Sequence, residues 1–430
     1  MKVAGTRAWA TAVCATLAAV LVGLSVVGCG YGNNNYTNGV GCGFAGNAVP
    51  GPAPAAGSEF VFVPNALCGQ GVANDVMSVL VLNPANPANP FSNGPVPLVQ
   101  TGNVPVWAVV DPTNHFVYVT NFADNTVSAF TLNTATGAIA VVPGAPFLAG
   151  TGPAAAAVDP SGTFLYVANQ GTSTIAGSIS GYKITPGTGV LTPVPGSPFT
   201  TSPTPLSPQQ GIAVTAGFVY VSNSNVNNIN TLANNVSAFS FDPGTGALTQ
   251  LATSPFTLAP AINPQPESLA MDPAGKFLFT ANMTSNNVSA FTVNAGGSLT
   301  QAAGSPFSAI PPPPPANLNL PLSSPRYLTT DRTGSFLYVV NVNNSNSTVT
   351  SYTVTPGTGV LGEEFQSSAT GNFPEGIAVD AANKFLMVAN FDDGTLSVYG
   401  INNANGNLTA PSTVSSNAII AGPQMVATTH

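Results

Sequence analysis

One phrase recurs along this chain and limits what it can fold into. Val110-Asp111-Pro112 is followed by Phe116-Val117-Tyr118-Val119-Thr120-Asn121, and the pair returns as Val158-Asp159-Pro160 with Phe164-Leu165-Tyr166-Val167-Ala168-Asn169. Further copies are Phe218 to Asn223, Met271-Asp272-Pro273 with Phe277 to Asn282, Thr330-Asp331 with Phe336 to Asn341, and Val379-Asp380 with Phe385 to Asn390. Phe60-Val61-Phe62-Val63-Pro64-Asn65 opens the series. The seven closing asparagines, 65, 121, 169, 223, 282, 341 and 390, stand 56, 48, 54, 59, 59 and 49 residues apart. Repetition at this period means that each unit is one small block that buries its apolar face only against its neighbours.

Within each unit the pattern predicts four short strands. A first strand starts at a proline, as in Pro374-Glu375-Gly376-Ile377-Ala378-Val379, and ends at the Asp turn. The second strand, from Phe to Asn, is apolar on both faces, as a strand sandwiched between blades must be. A third strand such as Thr126 to Leu132 leads to a Pro-Gly-Thr-Gly type turn whose glycines suit positive φ. The last short strand ends in a corner at Phe147, Phe199, Phe256 or Phe307. The expectation is an all-β, seven-bladed β-propeller of four-stranded antiparallel blades over residues 58–430. The first unit starts at its second strand near Glu59, and Pro423 to His430 reads as a first strand. The ring is therefore expected to close by pairing the C-terminal strand into the N-terminal blade, leaving no edge between the termini.

Composition narrows the function classes. Only 5% of the 430 residues are charged, with 7 Lys+Arg against 15 Asp+Glu, while Asn alone occurs 43 times. A typical domain is about a quarter charged. Nucleic-acid binding is excluded, because it needs basic stripes that neutralise phosphates. Asn, Gly, Pro and Thr are poor helix formers, so a helical bundle is excluded as well.

The first 28 residues carry Lys2 and Arg7 and then an uncharged Ala/Val/Leu-rich stretch, the layout of an export signal. It ends Val26-Val27-Gly28-Cys29, which resembles the lipobox of bacterial lipoproteins. That resemblance implies lipidation of Cys29 and anchoring to the bacterial cell envelope, at the outer membrane or cell surface. The competing reading is an uncleaved membrane anchor, since about 20 apolar residues span a bilayer. Residues 29–57 read as the lipidated Cys and a flexible Gly/Asn/Pro-rich tether. Cys42 and Cys68 then remain as a pair in an oxidising compartment and are expected to form a disulfide.

Tyr118-Val119-Thr120-Asn121 and its copies resemble the YVTN repeat, and residues 58 to 430 resemble the lactonase-type seven-bladed propellers that include the propeller 6-phosphogluconolactonases. The resemblance implies histidines just after the leading prolines of the first strands. Here those points hold Trp107, Ala155, Gly211, Ser268, Tyr327, Gly376 and Met425.

A working site is expected on the face carrying the long irregular loops Asn83 to Pro97, Ser224 to Asn235 and Ser308 to Pro325. The residues directly after the leading prolines, or their equivalents, are Val106, Ala154, Gln210, Glu267, Arg326, Glu375 and Gln424. Three charges on adjacent blades are a concentration in so uncharged a chain. The candidate ligand-binding set is Trp107, Gln210, Glu267, Arg326, Tyr327, Glu375 and Gln424, with Glu267 and Glu375 as candidate general bases. A sealed ion pair plugging the channel is the alternative for the three charges. The repeated Asp111, Asp159, Asp272, Asp331 and Asp380 read as turn residues bonded to backbone, and Asp124, Asp392 and Asp393 as solvated loop acids. His115 reads as a solvated turn residue, and neither cofactor nor metal is expected. Two functions follow: an exported ligand-binding or protein-interaction scaffold whose partners are the membrane and a small molecule or envelope protein, or alternatively a lactonase-type hydrolase of a small cyclic ester.

Overall fold

The computed structural model describes residues 58–66, 75–86, 90–91, 98–172, 174–201, 211–224, 234–258, 264–309, 324–343, 346–362, 366–414 and 422–430. The expected signal, the tether, Cys29, Cys42, Cys68, Gln210 and most of the three long loops lie outside the described residues.

Seven antiparallel sheets follow one another, each with strands in the order predicted from the repeat. The second blade is representative. Its strands Pro105–Val110, Phe116–Asn121, Thr126–Leu132 and Ile139–Val141 pair consecutively. The fourth strand is interrupted, which the repeat pattern did not disclose. After Val141 the chain leaves the sheet at a Pro-Gly turn and rejoins the third strand at Phe147–Leu148. The third, fourth and fifth blades repeat this excursion and return at Phe199, Phe256 and Phe307.

Closure is as expected. Ala427–Thr428 pairs antiparallel with Phe62 and Val61 of the strand Glu59–Asn65, so the first blade combines both ends of the chain. Apolar clusters lie between consecutive blades rather than within them. Phe116, Tyr118 and Val127 of the second blade pack on Leu165, Val167 and Tyr182 of the third, and Val61, Val63 and Leu80 of the first pack on Met387, Ala389 and Leu396 of the seventh. This is why the second strand is apolar on both faces: each face meets a different blade.

The repeated polar residues stitch each blade together. Asn121 is fully buried, donates to Thr126 Oγ1 and Ser128 Oγ at 2.9 Å each, and accepts the Gly102 amide at 3.1 Å. Asn390 does the same with Thr395, Ser397 and Gly371. The Asp turns work through backbone amides: Asp159 Oδ1 accepts from Thr163 N at 2.8 Å and Phe164 N at 2.6 Å. The two loop acids Asp124 and Asp393 are not simply solvated. Each carboxylate clamps an asparagine through its amide nitrogen and side chain, Asn103 and Asn372 respectively, which fixes the loop that leads into the first strand of the same blade. His115 sits in its turn, exposed, 2.9 Å from Thr113 Oγ1.

Candidate functional site

The innermost strands break register at one repeated place. In the second blade Pro105 pairs with Asn121 and Trp107 with Thr120, leaving Val106 as an extra residue. Ala154, Glu267, Arg326 and Glu375 occupy the same bulge in the third, fifth, sixth and seventh blades. A bulge turns the side chain of its extra residue away from the ordinary alternation. The sequence equivalence of these positions is therefore a backbone equivalence, and the fifth to seventh blades use it to bring charge to the loop-face end of the channel.

Burial then sets the electrostatics. Glu267 is 4% exposed and Glu375 7%. Desolvation raises the carboxyl of Glu267, against the opposing pull of the Arg326 charge. For Glu375 desolvation is again the largest cause; Arg326 opposes it, Glu267 and Asp392 add to it, and the group is raised from 4.5 to about 7. The Tyr327 hydroxyl is pushed far up by burial and by the Glu375 charge.

Arg326 is held by a ring. Its guanidinium carbon lies 5.2 Å from the centre of the Phe373 ring, while its Nε is buried without a hydrogen-bond partner among the described residues. Phe373 precedes Pro374 and has φ of 49°. Proline disfavours helical conformations in the residue before it, and left-handed backbone is uncommon for a bulky side chain. Val104 and Gln265, which precede Pro105 and Pro266, share this conformation, whereas Gly152 and Gly422 stand at the corresponding points before Pro153 and Pro423. The Phe373 carbonyl accepts the Phe391 amide at 3.0 Å, and the two rings meet edge to face at 6.3 Å.

A cavity of about 220 Å³ runs along the first strands that border the channel, walled by Trp107, Ser268, Tyr327, Thr330, Ile377 and Met425 among others. Ser268, 2% exposed, has an Oγ with no hydrogen-bond partner among the described residues. Of the predicted ligand-binding set, Trp107 and Tyr327 line the cavity. Glu267, Arg326, Glu375 and Gln424 do not form its wall; the first two and Gln424 each precede a wall residue by one position, and Glu375 precedes Ile377 by two. Phe373, Ile377 and Met425 were not singled out by the sequence reading. Phe373 carried one usable signal, its place before a leading proline next to the blade of Arg326.

At the turn face a second set of contacts joins the blades at the closure. Arg332 donates to Asp380 O at 3.2 Å, Val379 O at 3.0 Å and Thr428 Oγ1 at 3.0 Å, and its Nη1 lies 3.2 Å from His430 Nδ1.

Seven consecutive four-stranded blades, closed by the last strand, define a seven-bladed β-propeller. The family described as Lactonase, 7-bladed beta-propeller matches residues 88–309 and 315–428, and the chain belongs to it. Among solved structures, a candidate 6-phosphogluconolactonase of Bacteroides uniformis superposes with a TM-score of 0.68 at 16% identity, covering 86% of this chain and 99% of its own. The periplasmic gluconolactonase of Pseudomonas aeruginosa gives a TM-score of 0.66 at 16% identity, covering 87% and 99%. A candidate 6-phosphogluconolactonase of Bacteroides fragilis gives 0.64 at 18%, covering 88% and 100%. At these identities the likeness is one of fold. No curated protein sequence matches the chain.

Proposed function

We propose that this protein hydrolyses a small cyclic ester at the loop-face end of its channel. One observation carries the reading: two buried polar atoms without a hydrogen-bond partner among the described residues, Ser268 Oγ on the cavity wall and Arg326 Nε one residue from it, lie on the two blades that precede that of Glu375, whose buried carboxyl is raised to about 7. Buried polar groups are almost always hydrogen-bonded, so one without a partner on a cavity wall, as at Ser268, points to a ligand. Membership of the lactonase family supports hydrolysis over the binding-scaffold reading.

The chemistry needs a base, since the points where the family resemblance implies histidine hold none. Glu375 in its carboxylate form takes a proton from water as the water oxygen bonds to the ester carbonyl carbon. The carbonyl π pair moves to oxygen, and the guanidinium of Arg326 stabilises that oxyanion. As the carbonyl reforms, the ring C–O bond breaks and the proton on Glu375 passes to the departing alkoxide. One lactone and one water give one hydroxy acid, whose carboxyl then loses its proton to solvent. A base with a pKa near the working pH is the efficient choice. Ser268 Oγ and the Trp107 and Tyr327 rings orient the ring of the substrate. A panel of γ- and δ-lactones assayed with the parent, Glu375→Gln and Glu267→Gln tests this; equal rates in all three proteins would contradict it.

We further propose that the protein works outside the cytoplasm, held to the envelope by a lipid on Cys29, with Cys42 and Cys68 oxidised. The Val26-Val27-Gly28-Cys29 run supports this. Intact-mass measurement of the mature protein tests it, and an N-terminus at Met1 would contradict it.

A further inference from the structure

We infer that this site takes uncharged, hydroxylated esters and rejects their phosphorylated counterparts. For the reaction the inference rests on the hydrolase reading above; for binding preference it stands on the distribution of charge.

Beyond the first 28 residues the chain has five basic side chains, Lys183, Lys276, Arg326, Arg332 and Lys384. Four of them belong to the turn-face side. Lys276 and Lys384 follow Asp272 and Asp380 in the turns between first and second strands, and Lys384 Nζ is bonded to the Pro84 carbonyl at 3.2 Å. Arg332 is committed to the backbone of the seventh blade and to Thr428. Lys183 is exposed, one residue before the turn-side end of its strand Ser178–Ile184. The loop segments 202–210, 225–233, 259–263 and 310–323 contain no Lys, Arg or His in sequence. Among the described residues Arg326 is thus the one cation at the loop-face end of the channel.

That cation stands on the blade between two buried carboxyls at equivalent bulges, Glu267 and Glu375, and the Asp392 charge acts on Glu375 as well. The sum is neutral or negative as long as one of these three acids is ionised. Phosphate recognition uses several cations or charge-assisted donors acting together. Here a phosphate dianion meets one guanidinium, already backed by a ring, and repulsion from buried acids in a medium that screens poorly. The cavity wall itself carries no charged side chain and is suited to a neutral polyol: two aromatic faces, a serine hydroxyl without a partner among the described residues, and a volume of about 220 Å³. That volume is below the roughly 300 Å³ at which drug-sized pockets begin.

The test uses the full chain with four probes: D-glucono-1,5-lactone, its 6-phosphate, and the two corresponding lactams, which bind without being opened. The expected result is a kcat/KM for the neutral lactone about tenfold or more above that for the phosphate, with the same order in lactam affinity by calorimetry. Glu267→Gln, which removes one acid from the mouth, narrows that ratio several-fold. Tighter or equal binding of the phosphorylated lactam overturns the inference, and so does failure of both lactams to bind. Binding of the neutral lactam without turnover of either lactone overturns the hydrolase reading and leaves the charge selection standing.

Discussion

The guanidinium of Arg326 lies over the ring of Phe373 at 5.2 Å, and Phe373 reaches that place through a left-handed backbone directly before a proline. The backbone strain and the ring contact belong to one residue. A left-handed conformation costs roughly 1–2 kcal/mol, comparable to what a desolvated cation–π contact returns. Phe373→Leu keeps an apolar side chain there and removes the π face. It is expected to lower kcat/KM for a lactone about tenfold while shifting the melting temperature little, and Phe373→Trp is expected to restore activity. Paired kinetics and thermal melts check this; unchanged kcat/KM in the leucine variant would contradict it.

Glu375 links activity to stability. Its folded pKa, about 7, lies above its ordinary value of 4.5, so the folded protein binds more protons than the unfolded chain between these values. The associated stability is fully present below pH 4.5 and is lost as pH rises through about 7. A shift of this size corresponds to something on the order of 3 kcal/mol. Glu375→Gln does not titrate, so relative to the parent it is expected to gain stability as pH is raised from about 4.5 to about 8. Denaturant melts of both proteins at the two pH values read the difference, and parallel pH dependence would contradict it.

The inter-blade tyrosines offer a matched comparison. Tyr220 donates to the Gly297 carbonyl of the next blade at 2.8 Å, as Tyr166 does to Gly246 at 2.9 Å. Tyr338, at the same place in the sixth blade, has a buried hydroxyl with no partner among the described residues. Tyr220→Phe is expected to cost about 1 kcal/mol, and Tyr338→Phe to cost nothing or to stabilise. Equal losses in urea unfolding would show that these hydroxyls do not differ in the way their contacts indicate.

The closure depends on few residues. Ala427–Thr428 supplies the missing strand of the first blade, and Arg332 fastens Thr428 to the seventh. Removing residues 423–430 exposes the strand edge from Glu59 and leaves Arg332, whose donors are part-buried, short of its partner. A melting temperature lowered by several degrees is expected, with Arg332→Met intermediate. An unchanged melting temperature in the truncation would contradict a closed ring.

Much of this was legible in the sequence because repetition reports backbone equivalence. The Asn of all seven units and the Asp of five mark strand ends and turns, and the seven copies define the blades. The same equivalence picked out Glu267, Arg326 and Glu375 before their shared bulge was visible. What could not be read were the particular side-chain and strand contacts. Phe373 becomes informative only when its ring is seen beneath Arg326, and Ser268 only when its hydroxyl is seen to lack a partner. The break in the fourth strand, where the chain leaves after Val141 and returns at Phe147, arises from pairing with the third strand rather than from periodicity. Asp124 and Asp393 looked like loop acids because the asparagines they clamp lie 21 residues away.

The pH dependence of lactone hydrolysis, corrected for the spontaneous reaction, tests the central claim most directly. For the parent, kcat/KM is expected to rise with one ionisation near pH 7, the value set by burial of Glu375 among Arg326, Glu267 and Asp392. Glu375→Gln is expected to lower the plateau by roughly a hundredfold or more and to abolish the ionisation. A parent profile without that step, or a glutamine variant that retains both step and rate, would contradict the assignment of Glu375 as the base.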